Sequence, residues 1–388
     1  MVKTADFLIV GGGVIGSSIA YHLARQGKHQ VLLCEKGRPP GMGSTAMSGG
    51  LIRMHHTNPY QAKLAWSSYP YFQHWNEIVG GDCAFQKTGF FQMIGKGYQE
   101  HAKKNIRMLK KLGICIQMLS PDDFIQAQPF FSPEDIAVVA YEPDSGYADP
   151  VKATMSFLQQ AQQNGLGILE GVKVHSLKTV GDRVIGIHSN VGEIEAKEVI
   201  LCNNIDAKPL LQSIGLHIPL QSKKIGICFF QPSEEISPPL ATCIDDTIGT
   251  YFRRTGDGKI LVGISTNQLN VDPDTLSPLT MEDFHDALHL MQHRIPKLRN
   301  QTVFAGGRSS FDSYSPDKHG IVGRLQEIEG LYVATGFSGG GFKIAPALGE
   351  YIAYELMEMK DHEDLQPYRL SRFEQNRWIQ PKYPYRHM

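Results

Sequence analysis

The six cysteines, Cys34, Cys83, Cys115, Cys202, Cys228 and Cys243, include no C-x-x-C pair and are widely scattered. That spacing argues against a zinc site and a disulfide framework, and it fits a reducing compartment. No apolar run approaches the roughly 20 residues that a membrane-spanning helix needs. A net charge of -1 leaves no basic surplus for nucleic acid or an anionic membrane. The opening MVKTADFLIV lacks a cleavable signal pattern, because Asp6 interrupts it and the apolar run belongs at once to a motif. A cytoplasmic location is expected. Repeats and low-complexity segments are also missing. Glycine and proline are spread evenly, so no single linker cuts the 388 residues into two consecutive domains.

What is present begins with a β-α-β pattern. Residues 6–10 read as a buried strand, 14–26 as a helix with Ile15, Ile19 and Leu23 on one face, and 31–34 as a second strand. Between them, Gly11, Gly13 and Gly16 form G-x-G-x-x-G, and Glu35 ends the next strand. Gly11 makes the tight turn, Gly13 lets a pyrophosphate reach the backbone, and Gly16 brings helix and strand together. Glu35 suits a ribose hydroxyl and disfavours a 2′-phosphate. The pattern predicts dinucleotide binding and does not decide between NAD and FAD. Farther on, residues 60–80, 97–113, 150–164 and 281–294 read as helices. Residues 171–202 read as hairpin strands ending in a buried strand, and 218–270 as strand-rich.

A second glycine cluster lies near the end, in GFSGGGFKIAPALGE at 336–350, between a short buried strand at 330–335 and a helix at about 343–358. Strand, glycine turn and helix let a ligand approach bare backbone at a helix N-terminus, where free N–H groups favour negative charge. The same turn also serves simple close packing. His285, His289 and His293 fall at i, i+4 and i+8, but Phe284, Leu288, Met291 and Ile295 mark the buried face of that helix, so no metal site is expected.

The stretches GGGVIGSSIAYHLARQGKHQVLLCEK, GSTAMSGGLIR, SGYADP, SPDKHGIVG, GLYVATGFSGGGFKIAPALGE and LQPYRLSRF occur in this order along almost the whole chain. Together they resemble the D-amino-acid oxidase/sarcosine oxidase superfamily of FAD-dependent oxidoreductases, in its sarcosine oxidase, glycine oxidase and dimethylglycine dehydrogenase branch. The resemblance implies an α/β and α+β protein, with a Rossmann-like FAD-binding domain interleaved with a sheet-rich substrate-binding domain. The FAD-binding domain would comprise 1–80, 150–215 and 325–375, the substrate domain 81–149 and 216–324, and 376–388 would be a C-terminal tail.

The resemblance also implies roles. FAD would be held by Gly11, Gly13, Val14, Ile15, Gly16, Glu35, Lys36, Gly43, Ser44, Thr45, Ser48, Gly49, Gly50, Leu51, Val174 and the turn Gly339, Gly340, Gly341, Phe342 and Lys343. The three glycines would turn their N–H groups toward the flavin edge that gains charge on reduction. Arg53 and Lys343 would hold a substrate carboxylate. Alternatively, Lys343 snorkels and Arg53 binds the FAD phosphates or a buried acid. Tyr251 is a candidate aromatic wall.

Departures from the family pattern carry their own expectations. Met47 and Ser310 stand where relatives attach flavin covalently, and no other cysteine is expected nearby, so FAD should be non-covalent. Asp312 replaces a carboxylate-binding arginine and reads as a turn residue or as a partner for a cationic group. Leu261 and Ser265 occupy the positions of an oxygen-activating lysine and an active-site histidine, with Lys259 two residues away as a possible substitute. Asn203-Asn-Ile-Asp206 replaces the usual A-G-A-W. The expected reaction is oxidation of the C–N bond of a small amino acid or N-substituted amino acid, with oxygen or an electron-accepting partner protein as acceptor. A 2-hydroxy-acid dehydrogenase, or a non-catalytic flavoprotein assembly factor, remains an alternative.

Overall fold

The computed structural model of the chain describes residues 3–40 and 43–387. Its first sheet has the order Ile321–Arg324, Leu331–Thr335, Gly192–Leu201, Lys3–Val10, Val31–Glu35, Gly167–Glu170. Along this order all neighbours but the first pair run parallel, and the strands Arg183–Ser189 and Val174–Val180 join the same sheet antiparallel, through Gly192–Leu201. The parallel strands are covered on both faces, which is why they read as continuous apolar runs. Successive residues of the central strand serve opposite cores: Phe7 and Ile9 face one, Leu8 and Val10 the other. The first core is covered by the helices Val14–Ala24, Pro150–Gln163 and Ala345–Glu358. The second is covered by the short helix Ala207–Gln212 and the antiparallel hairpin Val174–Val180/Arg183–Ser189.

A second eight-stranded sheet has the order Thr302–Tyr314, Gln221–Pro232, Ile260–Leu269, Thr250–Arg254, Thr242–Asp245, Phe90–Gly95, Ile136–Glu142, Gln117–Leu119. One face packs Phe91, Cys243, Phe252, Val262 and Phe230 against Ala287 and Met291 of the helix Met281–Arg294. Fully buried Arg294 ends that helix and pairs with Asp245 at 2.5 Å, while Ser132 and Glu134 carbonyls and the Thr247 hydroxyl take its other donors. On the opposite face, Ile244, Tyr251, Gly263 and Ile227 stand in register across four strands. That row roofs a cavity between the two sheets.

Three local readings shift. The helix expected over 60–80 is two helices, Pro59–Gln73 and Trp75–Ile78, because His74 between them leaves helical geometry at φ -120°. The helix expected from 343 begins at Ala345, preceded by a 3-10 turn, Phe342–Ile344. The strand Thr302–Tyr314 was not foreseen, since its sequence TVFAGGRSSFDSY is polar and glycine-rich, as suits a strand at the sheet's edge. Among the described residues no helix is long and apolar enough to cross a membrane, and no three His, Cys, Asp or Glu residues cluster as a metal site would require.

Candidate active site

The cavity has a volume of about 1020 Å³ and runs from the glycine cradle at the N-terminus to Tyr251 and the turn before the helix Ala345–Glu358. At the cradle two glycines are sterically obligatory. Gly11 has φ +109°, and a Cβ there would meet the Cys202 carbonyl oxygen at 2.7 Å; a Cβ on Gly16 would meet the Gly11 carbonyl oxygen at 2.1 Å. Gly16 therefore packs helix against strand and does not line the cavity. The helix Val14–Ala24 has no cap from its N-cap residue Gly13 and no acidic residue in its first turn; the Thr45 hydroxyl takes the Val14 N–H, and the Ile15 and Gly16 N–H groups have no partner among the described residues. Glu35 lines the cavity with each carboxylate oxygen already accepting one backbone N–H, Gly12 at 2.8 Å and Gly37 at 3.0 Å. Each oxygen keeps a lone pair for a ribose hydroxyl. Lys36 and Val174 border the same end, Lys36 paired with Asp206 at 2.9 Å.

Residues Gly43, Ser44, Thr45, Ser48, Gly49, Gly50 and Leu51 form the cavity's middle wall. Thr45 accepts the Val14 N–H at 3.1 Å, tying this loop to the cradle. Ser44 donates to the Phe311 carbonyl at 2.6 Å and lies 3.1 Å from the Asp312 carboxylate. Asp312 is not a turn residue. It sits within the strand Thr302–Tyr314, buried, and accepts the Gly339 N–H at 2.6 Å, with Asn204 reaching both it and Ser44. Burial pushes its carboxyl up against the pull of these donors. Asp312 thus joins the middle wall, the glycine turn and the 203–206 loop, a network the sequence reading missed.

The glycine turn also departs from expectation. Asp312 takes the Gly339 N–H, and the Phe337 carbonyl takes that of Gly340 at 2.8 Å. Gly340 does not line the cavity, whereas Gly339, Gly341, Phe342 and Lys343 do. The 3-10 turn closes with Ile344 N–H donating to the Gly341 carbonyl, so the backbone N–H groups of Gly341, Phe342 and Lys343 are the ones without a partner among the described residues. The donors aimed at a ligand start two positions later than the sequence suggested.

Arg53 and Lys343 meet at this end. Lys343 is 7% exposed, its Nζ only 3.5 Å from the Gly340 carbonyl. Arg53 donates to the His55 carbonyl and lies over the Phe90 ring at 5.8 Å. Among the described residues neither forms an ion pair. Burial, then the charge of Arg53, pushes the Lys343 ammonium down to about 7; burial pushes Arg53 down to about 10, against the opposing charge of Glu142. Glu142 is buried, accepts Met54 N–H at 3.0 Å and the Ser145 hydroxyl at 2.6 Å, and is pushed up to about 7 by burial. The two cations face one cavity; the charges of Asp312 on its wall and of Glu142 act on Lys343 and Arg53 respectively, but neither carboxylate is within ion-pair distance, which leaves both cations able to meet an anion. Tyr251 lines the same cavity: its ring lies across Gly263 and Gly49, where a Cβ would come within 1.9 and 2.8 Å of it, and burial raises its hydroxyl to about 12.

Lys259 is not part of this site. It lies beside the turn that precedes the strand Ile260–Leu269, pairs with Asp257 at 2.5 Å, and is four residues from Gly263, the first residue of this strand on the cavity wall. Leu261 is fully buried and also off the cavity wall; the side chain of Ser265 lies outside the described residues. Met47 lines the cavity, whereas Ser310 is buried on the strand Thr302–Tyr314 and is not among the lining residues. Two cysteines do border the cavity, contrary to the sequence reading. Cys34 and Cys202 lie at the nucleotide end, and burial raises both thiols, Cys34 to about 12. Neither is a ready nucleophile.

The residues present fit a flavin dinucleotide: a helix N-terminus with unpartnered Ile15 and Gly16 N–H groups among the described residues, an acid on the cavity wall with lone pairs to spare, and a wall of glycines whose missing Cβ atoms leave room. The chain is 27% identical over 361 residues to 4-methylaminobutanoate oxidase (formaldehyde-forming) of Paenarthrobacter nicotinovorans, covering 89% of this chain and 43% of that protein's length. It is 25% identical to the peroxisomal sarcosine oxidase of Homo sapiens over 95% of this chain and 96% of that one. Among solved structures, L-proline dehydrogenase from P. horikoshii superposes with a TM-score of 0.88 at 25% identity, covering 97% and 99% of the two chains. Residues 6–355 match the family DAO, FAD dependent oxidoreductase, and the chain belongs to that family.

Proposed function

We propose that the protein oxidises the C–N bond of a small amino acid or N-substituted amino acid whose carboxylate is held by Arg53 and Lys343. The observation that carries this reading is the pair of buried cations at the cavity's end with no ion-pair partner among the described residues. When bound, FAD supplies the acceptor for a hydride. The chain's own residues supply the rest. Arg53 and Lys343 fix the carboxylate and with it the orientation of the neighbouring carbon. Their charge also lowers the pKa of a nearby substrate amine and favours its neutral form, so no dedicated base is required. Tyr251, Ile244 and Gly263 bound the space left for a side chain or N-substituent. The names of relatives that act on methylamino acids and proline support an amine substrate.

FAD is held without a covalent bond in this reading, since Met47 and Ser310 stand where attachment would be expected. Anaerobic addition of matched amines, N-methyl amino acids and 2-hydroxy acids tests the reaction. Loss of the flavin's visible absorbance with an amine bearing a carboxylate is the expected result. Bleaching by hydroxy acids alone, or by none of them, overturns it.

A further inference from the structure

We propose that the segment 379–387 is a structural part of the substrate end and that Tyr385 is a positioning residue for Arg53. The claim rests on the carboxylate-holding role given to Arg53 above. The segment is anchored on three other parts of the chain. Ile379 N–H donates to Asp317 at 3.0 Å. Lys382 N–H donates to the Thr57 carbonyl at 3.3 Å. Arg386 and His387 N–H groups both donate to buried Asp246, at 2.8 and 3.0 Å. The His387 ring covers Gly249, a cavity-lining residue, at 3.2 Å from where its Cβ would be.

Between these anchors, the Tyr385 hydroxyl lies 3.1 Å from Nε2 of buried His55, and the two rings stack with centroids 5.7 Å apart. His55 is the residue whose carbonyl accepts from Arg53. Its other ring nitrogen is buried without a partner, so Tyr385 is its one side-chain hydrogen bond among the described residues. Arg53 forms no ion pair among the described residues, so the His55 carbonyl, its one hydrogen-bond partner among them, sets its place together with the Phe90 ring. The carbonyl is held in turn by the His55 ring and by the Met54 N–H bond to Glu142. Tyr385 therefore acts on the carboxylate through two residues while touching neither substrate nor cofactor.

The test uses the FAD-loaded protein with acetate as the carboxylate probe and acetamide as its neutral isostere. Each is titrated against the visible spectrum of the bound flavin. Tyr385→Phe keeps the ring stack and removes the hydroxyl. It should weaken acetate by about five- to tenfold, the effect of one lost hydrogen bond, and leave acetamide unchanged. Tyr385→Leu should weaken acetate further. On an Arg53→Met background Tyr385→Phe should add nothing. Equal weakening of both probes, or unchanged acetate binding in Tyr385→Phe, overturns the positioning role while leaving Arg53 as the carboxylate residue. A wild-type protein that does not prefer acetate to acetamide overturns the reading of Arg53 itself, and Tyr385 with it.

Discussion

Replacing Lys343 by methionine removes one cation while keeping most of the side chain's volume. The ammonium, held at about 7, is roughly nine-tenths charged at pH 6 and about one-hundredth charged at pH 9 in the ligand-free protein. A carboxylate favours the charged form, so its dissociation constant in the wild type should rise about tenfold per pH unit above 7. At pH 6 the variant loses a charge-assisted hydrogen bond in a desolvated site, on the order of 2–4 kcal/mol, or about 30- to 1000-fold in affinity. By pH 9 the wild type has lost up to about a hundredfold of its own advantage, so the gap narrows by as much as that factor and closes where it was smaller. Stability moves the other way. A lysine lowered from 10.5 to about 7 lets the unfolded chain bind more protons between those values, so the folded state gains stability as pH rises through that window. The variant should be at least as stable as the wild type at pH 7 and should keep its FAD. Acetate titrations at pH 6 and pH 9, with flavin content and Tm measured alongside, check all three points. Equal acetate affinity of the two proteins at pH 6, with FAD bound in both, refutes the reasoning.

Glu142→Gln should raise Tm more at pH 8 than at pH 5, because a carboxyl pushed up to about 7 stabilises the fold only below its ordinary value and loses that contribution as pH rises toward 7; an equal rise at both pH values contradicts it. Arg294→Ala strands Asp245 in the interior and should cost on the order of 3–5 kcal/mol by urea unfolding, and a loss under 1 kcal/mol would contradict the buried-pair reading. Acid precipitation should release intact yellow FAD into the supernatant, since Cys34 and Cys202 are protonated thiols at the nucleotide end; flavin retained in the pellet would show covalent attachment.

The nucleotide cradle was legible because its signals are local. Gly16 is forced by the Gly11 carbonyl five residues before it, Gly11 by its own φ of +109° as well as by distant Cys202, and alternate residues of 7–10 each face a core, which leaves an unbroken apolar run. Arg53 and Lys343 were placed through family resemblance, and the structure brings them to one cavity. Asp312 was misread because a polar, glycine-rich stretch looks like a turn until an inner strand, Gln221–Pro232, pairs with it. Lys259 was overvalued because sharing a strand face does not say how far along the strand the cavity begins, which here is at Gly263. The Gly339 and Gly340 donors were misassigned because their partners, Asp312 and Phe337, become visible only in three dimensions. The bond between Tyr385 and His55 spans 330 residues and no sequence pattern announces it.

The central claim is that Arg53 reads the substrate's carboxylate, and a double cycle in anaerobic stopped-flow tests it most directly. The best amino-acid substrate and its methylamide are mixed with wild type and with Arg53→Met, and the second-order rate constant of flavin reduction is read from the loss of visible absorbance. In the wild type the methylamide should react at least about a hundredfold more slowly, and in Arg53→Met that preference should collapse toward unity, a coupling of roughly 2–3 kcal/mol. A preference for the free acid that survives undiminished in Arg53→Met, with FAD bound, would contradict the claim.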